Sequence, residues 1–399
     1  MSLRSGEGRV SLFVELGASF WLVVAAAFIG FVGIGATVPT LPPYVRHELG
    51  ASNLVLGLLI GVFSVAGLAA RLGLSRLADV RGRRFTLAVG LALGALGGLF
   101  YAVSLGVPGV AVGRIVHGAG EALVYIGAVA WVVDRAPPER RAQTLALLGS
   151  AVWGGLALGP LVGEALGSFV AAGWFVAITP LVGLATLRYV PESPVRRNPG
   201  RRTPVLPRAS IGPGIALGLT NISYVALAGF LVLYLAGHGG GGAAAFAVFA
   251  GIVLASRILV GWLPDRVGPR RSLAIGHGLM AGGLAVIALF PSPAVAIAAA
   301  VAIGVGYSLP WPSIASFVLG QAPPDERGAS VAGLTAFFDL FVGVGGFLAG
   351  GIAALFGYEA VFWLGVGCVG LSSLVVRSVI VEAPARLTPA PAEAGACSG

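Results

Sequence analysis

Twelve long apolar segments, separated by short polar connections, dominate this sequence. A transmembrane helix needs about 20 consecutive, mainly apolar residues to cross the hydrocarbon core of a bilayer. The predicted spans, numbered in chain order, lie at about 19–41, 54–77, 85–105, 108–133, 143–165, 168–190, 211–236, 243–263, 272–291, 293–319, 329–355 and 359–380. A soluble domain of 399 residues has too little core to hide so much apolar surface. The sequence therefore predicts an all-α membrane protein with twelve transmembrane helices.

The charged residues exclude several classes of function. Only 10% of the residues are charged, whereas soluble proteins carry about a quarter. All of the basic residues are arginines, and a chain without lysine cannot form the Gly-Lys-Ser/Thr phosphate loop of ATP-driven enzymes. The arginines lie in short loops between apolar segments, which is not the basic face of a nucleic-acid-binding protein. Cys368 and Cys397 are too few for a disulfide framework or a zinc site. We expect no enzyme activity, no metal, no cofactor and no nucleic-acid partner.

The distribution of arginine predicts the orientation in the membrane. Cytoplasmic loops of membrane proteins carry an excess of arginine and lysine. With the N-terminus inside, nearly every connection predicted to face the cytoplasm contains arginine, whereas the outer loops contain only Arg46. The first apolar segment continues to Pro39 without a cleavage signal, so we interpret it as a retained span. We therefore predict a multi-pass protein of the cytoplasmic (inner) membrane with both termini in the cytoplasm.

An internal repeat divides the chain into two halves. Residues 71–84 read RLGLSRLADVRGRR and residues 257–270 read RILVGWLPDRVGPR, 186 positions later. The same offset relates 136–138 to 322–324, both Ala-Pro-Pro. One offset shared by separate segments indicates duplication of a six-span unit, as in many secondary transporters. We predict an N-terminal six-helix bundle at 1–190, a proline- and arginine-rich cytoplasmic linker at 191–210, and a C-terminal six-helix bundle with a short tail at 211–399.

Two loops of similar sequence carry the first recognisable motif. Each follows the second span of its half and combines an aspartate, a glycine that permits a tight turn, and arginines. The residues are Asp79, Gly82, Arg83 and Arg84 in the first copy, and Asp265, Arg266, Gly268, Arg270 and Arg271 in the second. On these residues the chain resembles the major facilitator superfamily over about 19–380. The resemblance implies two pseudo-symmetric six-helix bundles that alternate around a central site, with these loops controlling the conformational change. It also implies a small-molecule substrate and a monomer. The alternative is a simple basic loop on the cytoplasmic side.

Predicted span 4 contains three ionisable residues at helical spacing. Arg114, His117 and Glu121, with Gly118 and Gly120 between them, resemble the superfamily's R-x-x-Q/H-G pattern. Positions three and four apart share a helix face, so Glu121 could pair with either cation. Charges within a membrane are costly unless they face protein or water. The interpretations are a proton or substrate relay, or a structural cluster.

Predicted span 5 resembles the motif of the superfamily's drug/proton antiporters. Gly155, Gly159, Pro160 and Gly163 match it, while Glu164 replaces its last glycine. Glycines four apart let another helix approach closely, and the proline bends the span. The resemblance to the twelve-span antiporters rests on this segment.

Asp339 is an isolated carboxylate in predicted span 11. No cation lies within a helical turn or two of it along the chain. It must therefore face a cavity, meet a partner from another span, or remain protonated. A proton-coupling or cation-recognising role and a structural hydrogen bond are both consistent with the sequence.

Other polar groups within the predicted spans have weaker assignments. We expect Arg71 and Arg257 to extend toward the membrane interface, with pairing to the aspartate of their own half as the alternative. Five residues could line a central cavity or serve in packing. They are Tyr125, Asn221, Tyr224, Tyr307 and Trp311.

These features together predict a secondary transporter. The coupling candidates are Asp339, Glu121, Arg114 and His117. The antiporter-like motif favours proton-coupled efflux of an amphipathic or drug-like compound. An uptake symporter or a passive facilitator for sugars or organic acids is the alternative on the same fold. A non-transporting sensor or partner-binding membrane protein is the alternative from another class.

Overall fold

The computed structural model describes residues 17–137, 140–193, 206–323 and 326–380, and twelve helices in these ranges are long and apolar enough to cross a membrane. Spans 1–6 are Gly17–Glu48, Asn53–Arg81, Arg83–Ala102, Gly106–Arg135, Arg141–Leu166 and Phe169–Tyr189. Spans 7–12 are Arg208–Ala236, Gly242–Leu259, Pro269–Leu289, Pro293–Gln321, Arg327–Phe356 and Tyr358–Val379. A further short helix, Leu263–Val267, precedes span 9. The prediction of a twelve-span, all-helical membrane fold is confirmed.

The six-helix unit packs in the same way in both halves. Spans 3 and 4 approach closely at Gly90 and Gly120, where a Cβ on Gly90 would lie 2.7 Å from the Gly120 carbonyl oxygen. Spans 9 and 10 approach at Gly276 and Gly306, where the equivalent distance is also 2.7 Å. Each glycine of the second pair lies 186 residues after its counterpart, as the sequence repeat requires.

Three spans contain a π-helical turn or an internal break. Span 1 ends in a π-helical turn at Tyr44–Glu48, and span 7 contains another at Ala226–Phe230. Span 10 is interrupted between Ser308 and Pro310, because proline has no backbone N–H to continue the hydrogen-bond ladder. The irregular turn of span 1 lies at the end of that helix, those of spans 7 and 10 lie within the helices, and Trp311 follows the interruption of span 10 directly.

The predicted domain boundaries lie partly outside the described residues. Residues 194–205 of the predicted linker are not among them, nor are 1–16 and 381–399. Span 7 begins at Arg208, three residues inside the predicted linker. The division at 191–210 therefore stays a prediction.

A glycine seam joins the halves along spans 2 and 11. A Cβ on Gly350 would lie 2.7 Å from the Asn53 carbonyl oxygen and 2.8 Å from the Cα of Gly57. The Asn53 side chain donates a hydrogen bond to the Ala353 carbonyl oxygen (3.1 Å) and accepts one from the Tyr358 hydroxyl (3.1 Å). Small residues allow this direct backbone contact. The seam closes the molecule at the end opposite the arginine-rich loops and leaves a cavity beside it.

Candidate functional site

A cavity of about 240 Å³ lies between the two halves. Spans 1, 2, 4 and 5 of the first half and spans 7, 8, 10 and 11 of the second contribute to its wall. Five charged side chains line it. They are Arg71, Arg114, Glu121, Arg257 and Asp339. An interface between repeated halves is where transporters of this architecture bind their substrates.

A salt bridge across this cavity connects the two halves. Arg71 Nε lies 2.6 Å from Asp339 Oδ2, joining span 2 to span 11. The side chains are only 15% and 9% exposed, so little water screens the pair. Of the possibilities that the sequence left for Asp339, the structure provides a partner from another span. The expected extension of Arg71 to the membrane interface is wrong, because its guanidinium turns inward to this carboxylate.

Glu121 lies on the other side of the same guanidinium. Arg71 Nη2 is 3.4 Å from Glu121 Oε2, and the Arg71 guanidinium lies 5.3 Å from the centre of the Tyr125 ring. Glu121 thus shares a cation with Asp339 instead of pairing with Arg114 or His117. One arginine between two carboxylates leaves a net charge of −1 when all three groups are ionised.

The other two residues predicted to share the Glu121 face do not pair with Glu121, although both contact the Phe63 ring. Arg114 lines the cavity, donates from Nε to the Leu59 carbonyl oxygen (2.9 Å) and lies 4.2 Å from the Phe63 ring centre. His117 points away from the cavity, with its Nδ1 3.3 Å from the Tyr101 hydroxyl. Helical spacing places Arg114, His117 and Glu121 on one side of span 4. Different neighbouring spans pack against different parts of that side.

Arg257 is the second-half counterpart of Arg71, and its surroundings are aromatic. Its guanidinium lies 5.3 Å from the Trp153 ring centre, and Trp153 packs against Tyr307 at 5.7 Å between ring centres. Its expected extension to the interface is also wrong, because it lines the cavity. The offset of 186 relates the two arginines and their neighbours. Arg71 and Glu121 of the first half correspond to Arg257 and Tyr307 of the second. Asp339 of the second half corresponds to Trp153 of the first. Each carboxylate beside Arg71 thus has an aromatic counterpart beside Arg257.

Aromatic side chains make up much of the remaining wall. They include Phe31, Phe63, Tyr125, Trp153, Tyr224, Trp311 and Phe338. Of the five predicted cavity-lining residues, Tyr125, Tyr224 and Trp311 lie at the cavity. Asn221 and Tyr307 are buried behind it, where the Tyr307 hydroxyl donates to Asn221 Oδ1. Their hydrogen bond satisfies both polar groups within the helix packing.

The described residues offer no metal centre. Within 17–137, 140–193, 206–323 and 326–380, no cluster of three or more His, Cys, Asp or Glu side chains could hold a metal ion. The chemistry of this cavity therefore rests on its arginines, carboxylates and aromatic rings.

Comparison with known proteins decides the family. The family model described as Major Facilitator Superfamily matches residues 23–330, with a second match at 215–397. The chain belongs to the major facilitator superfamily. An uncharacterized MFS-type transporter of Burkholderia mallei (strain SAVP1) is 32% identical over 387 residues, which cover 92% of this chain and 93% of that protein.

Solved structures of superfamily transporters share the fold. The crystal structure of the nucleoside transporter NupG has a TM-score of 0.75 at 12% identity, covering 92% of this chain and all of that one. A bacterial homolog of the human lysosomal transporter Spinster, in an inward-facing and occupied conformation, has a TM-score of 0.75 at 14% identity, covering 90% and 96%. At these identities the likeness concerns the fold.

The first superfamily loop motif lies within a polar network. Arg83 pairs with Asp79 (2.6 Å) and with Asp134 at the end of span 4 (3.0 Å). Gly82 has φ +104°, a conformation that favours glycine, and the backbone N–H groups of Arg83 and Arg84 donate to Glu192 Oε1 (2.8 and 3.0 Å). The network ties the loop to span 4 and to the segment after span 6, all within the first half.

The second loop motif has the same turn, and its described side chains form no such network. Gly268 has φ +84°, and the Arg266 guanidinium lies 4.5 Å from the Trp262 ring centre. Arg270 and Arg271 are exposed, and neither forms a salt bridge within the described residues. The side chain of Asp265 lies outside the described part of the structure. The repeat thus preserves the turn but not the contacts.

The antiporter-like motif packs span 5 against span 1. A Cβ on Gly155 would lie 2.8 Å from the Phe28 carbonyl oxygen, and one on Gly159 would lie 2.6 Å from the Val32 carbonyl oxygen. A Cβ on Gly163 would lie 2.9 Å from Pro39 Cγ. Pro160 lies inside the helix. The motif brings together two spans that both line the cavity.

Sequence reasoning missed four residues with evident roles. Arg71 and Arg257 were assigned to the interface, although their alignment in the repeat and the cost of a charge within a span both favoured a cavity. Asp134 and Glu192 were not singled out at all, because acidic residues at span ends resemble ordinary loop charges. Only the folded structure brings them to Arg83 and Arg84.

Proposed function

We propose that the protein is a proton-coupled secondary transporter that exports a small amphipathic compound through the cavity between its halves. The observation that carries the proposal is the Arg71–Asp339 salt bridge. It joins the two six-helix halves. These halves must move relative to each other when the cavity closes to one side of the membrane and opens to the other. Alternating access therefore has to break this pair or preserve it in another form.

Protonation offers a way to separate the halves at low cost. Removing one partner from a buried ion pair costs about 3–5 kcal/mol, because the other charge is left uncompensated. A proton on Asp339 removes the charge that would be stranded on span 11. Arg71 then keeps Glu121, which belongs to its own half and moves with it. In this scheme Asp339 accepts the proton and releases Arg71, which remains paired with Glu121.

The cavity wall supports an amphipathic substrate. Its aromatic rings offer large apolar surfaces, and its charged side chains offer a few fixed polar contacts. The proposal of export rests on the antiporter-like glycines of span 5, which resemble those of drug/proton antiporters. Protons moving inward would then drive the compound outward.

Proton flux in proteoliposomes tests the coupling. Purified protein is reconstituted around a lumenal pH dye, a pH gradient is imposed, and tetraphenylphosphonium, glucose and benzoate are added in turn. We expect at least one compound to stimulate proton flux in the wild type and none to do so in Asp339→Asn. Glu164→Gln is the control for neutralising a carboxylate within a span and should leave the flux unchanged, because Glu164 is exposed and away from the cavity. Unchanged coupled flux in Asp339→Asn would refute the proposal, and gradient-independent equilibration of a compound would instead indicate a facilitator.

A distance measurement tests the same idea without a substrate. Spin labels on Val80→Cys and Leu259→Cys would report the separation of spans 2 and 8, since both positions are exposed and belong to different halves. Cys368 and Cys397 are replaced by serine in this background. The charged and titratable groups that face Asp339 are Arg71, Glu121 and Tyr125, of which Arg71 stays protonated throughout. We expect the distance distribution to change between mildly alkaline and mildly acidic pH, and the change to vanish in Asp339→Asn. A pH response of the same size in that variant would contradict the role of Asp339.

A further inference from the structure

Arg257 is a cation in the cavity wall without an anionic partner. Within 17–137, 140–193, 206–323 and 326–380, no carboxylate lies within salt-bridge distance of it. Its buried Nε is a hydrogen-bond donor that finds no acceptor within the described residues. Its guanidinium carbon lies over the Trp153 ring, 5.3 Å from the ring centre. A buried charge of this kind is costly unless something pairs with it.

The other charges of the cavity cannot compensate Arg257. Both carboxylates of the wall, Glu121 and Asp339, are bound to Arg71. Arg114, the third arginine, donates to the Leu59 carbonyl oxygen and adds a further positive charge. Three arginines against two carboxylates leave the wall with a net charge of +1 when all are ionised. Arg114 on span 4 and Arg257 on span 8 are the wall arginines without a carboxylate partner among the described residues, and of the two only Arg257 has an unpaired Nε there.

The repeat shows what is missing beside Arg257. Its counterpart Arg71 is held by two carboxylates, and the equivalent positions around Arg257 are Trp153 and Tyr307. The second half thus keeps the cation but has aromatic rings in place of the anions. Arginine binds carboxylates through two parallel hydrogen bonds, which is stronger than neutral hydrogen bonding. A carboxylate from outside the chain would complete the arrangement.

We infer that the transported compound is an amphipathic organic anion whose carboxylate binds Arg257 while its apolar part lies against Trp153 and the neighbouring aromatic wall. The inference rests on the proposed function, because it takes this cavity as the substrate site. It narrows the substrate to one charge class and disfavours lipophilic cations, which the net positive wall would repel. Gly149 also lines the cavity beside the guanidinium, where a Cβ would lie 3.9 Å from Arg257 Nη1.

Equilibrium binding to the purified protein in lipid nanodiscs tests the inference without any gradient. Calorimetry compares benzoate and 2-naphthoate with the corresponding amides, which have the same rings without the charge, and with a quaternary ammonium derivative of each ring. We expect the carboxylates to bind the wild type roughly tenfold to a hundredfold more tightly than the amides, as for a hydrogen bond to a charged group. That preference should vanish in Arg257→Gln and persist in part in Arg257→Lys. Arg377→Gln is the matched control, because Arg377 is exposed on span 12.

A second variant distinguishes loss of the binding site from misfolding of Arg257→Gln. Trp153→Glu would supply the carboxylate from within the chain, as Asp339 does for Arg71. It should abolish carboxylate binding while the protein remains monodisperse and thermally stable. The inference is overturned if the carboxylates fail to bind at millimolar concentrations, if the amides or ammonium compounds bind as well, or if Arg257→Gln leaves the preference unchanged. Carboxylate binding through Arg257 without coupled proton flux would refute the proposed proton coupling and leave the inference standing.

Discussion

Arg71 and Arg257 occupy the same position in the two copies of the six-helix unit, but one is surrounded by carboxylates and the other by aromatic rings. Arg71 is bound to Asp339 and Glu121, whereas Arg257 lies on Trp153 and its Nε has no acceptor in the described part of the chain. The duplication therefore provides the geometry twice, and the residues around each arginine determine its use. In our proposals the first cluster exchanges a proton, and the second holds the substrate.

The two loop motifs differ in the same direction. In the first half, Arg83 is bound by Asp134, and Glu192 accepts hydrogen bonds from the loop backbone. The positions 186 residues later are neutral and cannot form these contacts. They are Pro269 for Arg83, Gly320 for Asp134 and Ser378 for Glu192. The first half is thus held rigidly at this end, and the second half is free of such restraint within the described residues.

The largest expected difference between the halves concerns the two arginines themselves. Arg71→Gln leaves two carboxylates facing each other in the cavity, so we expect a loss of roughly 3–5 kcal/mol in the free energy of unfolding. Arg257→Gln removes an uncompensated charge, and we expect stability to stay within about 1 kcal/mol or to increase. Thermal unfolding in detergent measures both.

The double variant provides the control for this comparison. Arg71→Gln combined with Asp339→Asn removes both charges of the pair and should recover part of the lost stability, because interacting residues are not additive. Equal destabilisation by Arg71→Gln and Arg257→Gln would show that the two clusters do not differ as described.

A smaller difference is expected between the glycine seam of spans 2 and 11 and the equivalent contact of spans 8 and 5. Spans 2 and 11 meet through glycines, whereas Gly57 and Gly350 have Ala243 and Glu164 as their counterparts on spans 8 and 5. Gly350→Ala would place a Cβ 2.7 Å from the Asn53 carbonyl oxygen, and we expect a cost of about 1–3 kcal/mol from overpacking.

The neighbouring glycine is a matched control for the seam. A Cβ on Gly351 meets nothing within 4 Å, so Gly351→Ala should be neutral or stabilise the helix by up to about 1 kcal/mol. Thermal unfolding compares the two, and spin labels on the ends of spans 2 and 11 would show whether Gly350→Ala opens the seam. If both substitutions have the same effect, close packing at the seam does not hold the halves together.

The smallest expected difference lies in the loops. Glu192→Gln weakens the charge-assisted hydrogen bonds to the first loop, and we expect a loss of about 1–1.5 kcal/mol. Arg270→Gln in the second loop should change stability by no more than about 0.5 kcal/mol, because Arg270 is exposed. Hydrogen exchange of the two loops would resolve the difference. Faster exchange in the second loop of the wild type is expected, and equal protection would contradict the asymmetry.

The fold could be predicted from the sequence because its determinants are local and repetitive. Apolar segment length fixed the number of spans, and the offset of 186 fixed the two halves. The partners of Asp339 could not be predicted, because Arg71 lies 268 residues away and only helix packing brings them together. The contact of His117 with Tyr101 could not be predicted for a related reason, since helical spacing gives the side of span 4 but not which neighbour covers each part of it.

The candidate site residues show what could and could not be predicted from local sequence patterns. Burial of a charge within a span predicted that Asp339 and Glu121 need partners, and the same rule applied to Arg71 and Arg257 would have placed them in the cavity. Tyr307 and Asn221 could not be separated from true wall residues by sequence, because a polar aromatic group can equally well satisfy its hydroxyl within the packing.

The separation of the two arginine clusters has a consequence for how such a protein can change over evolutionary time. In our proposals, residues on spans 2, 4 and 11 exchange the proton, and residues on spans 5, 8 and 10 recognise the cargo. Mutations around Trp153 and Tyr307 could then alter which molecules are carried without disturbing the energy source. A duplicated ancestor with identical halves would lack this freedom, because every change would touch both tasks. Divergence of the two copies allows substrate specificity to change by itself. An attempt to engineer that specificity would therefore begin with the residues around Arg257.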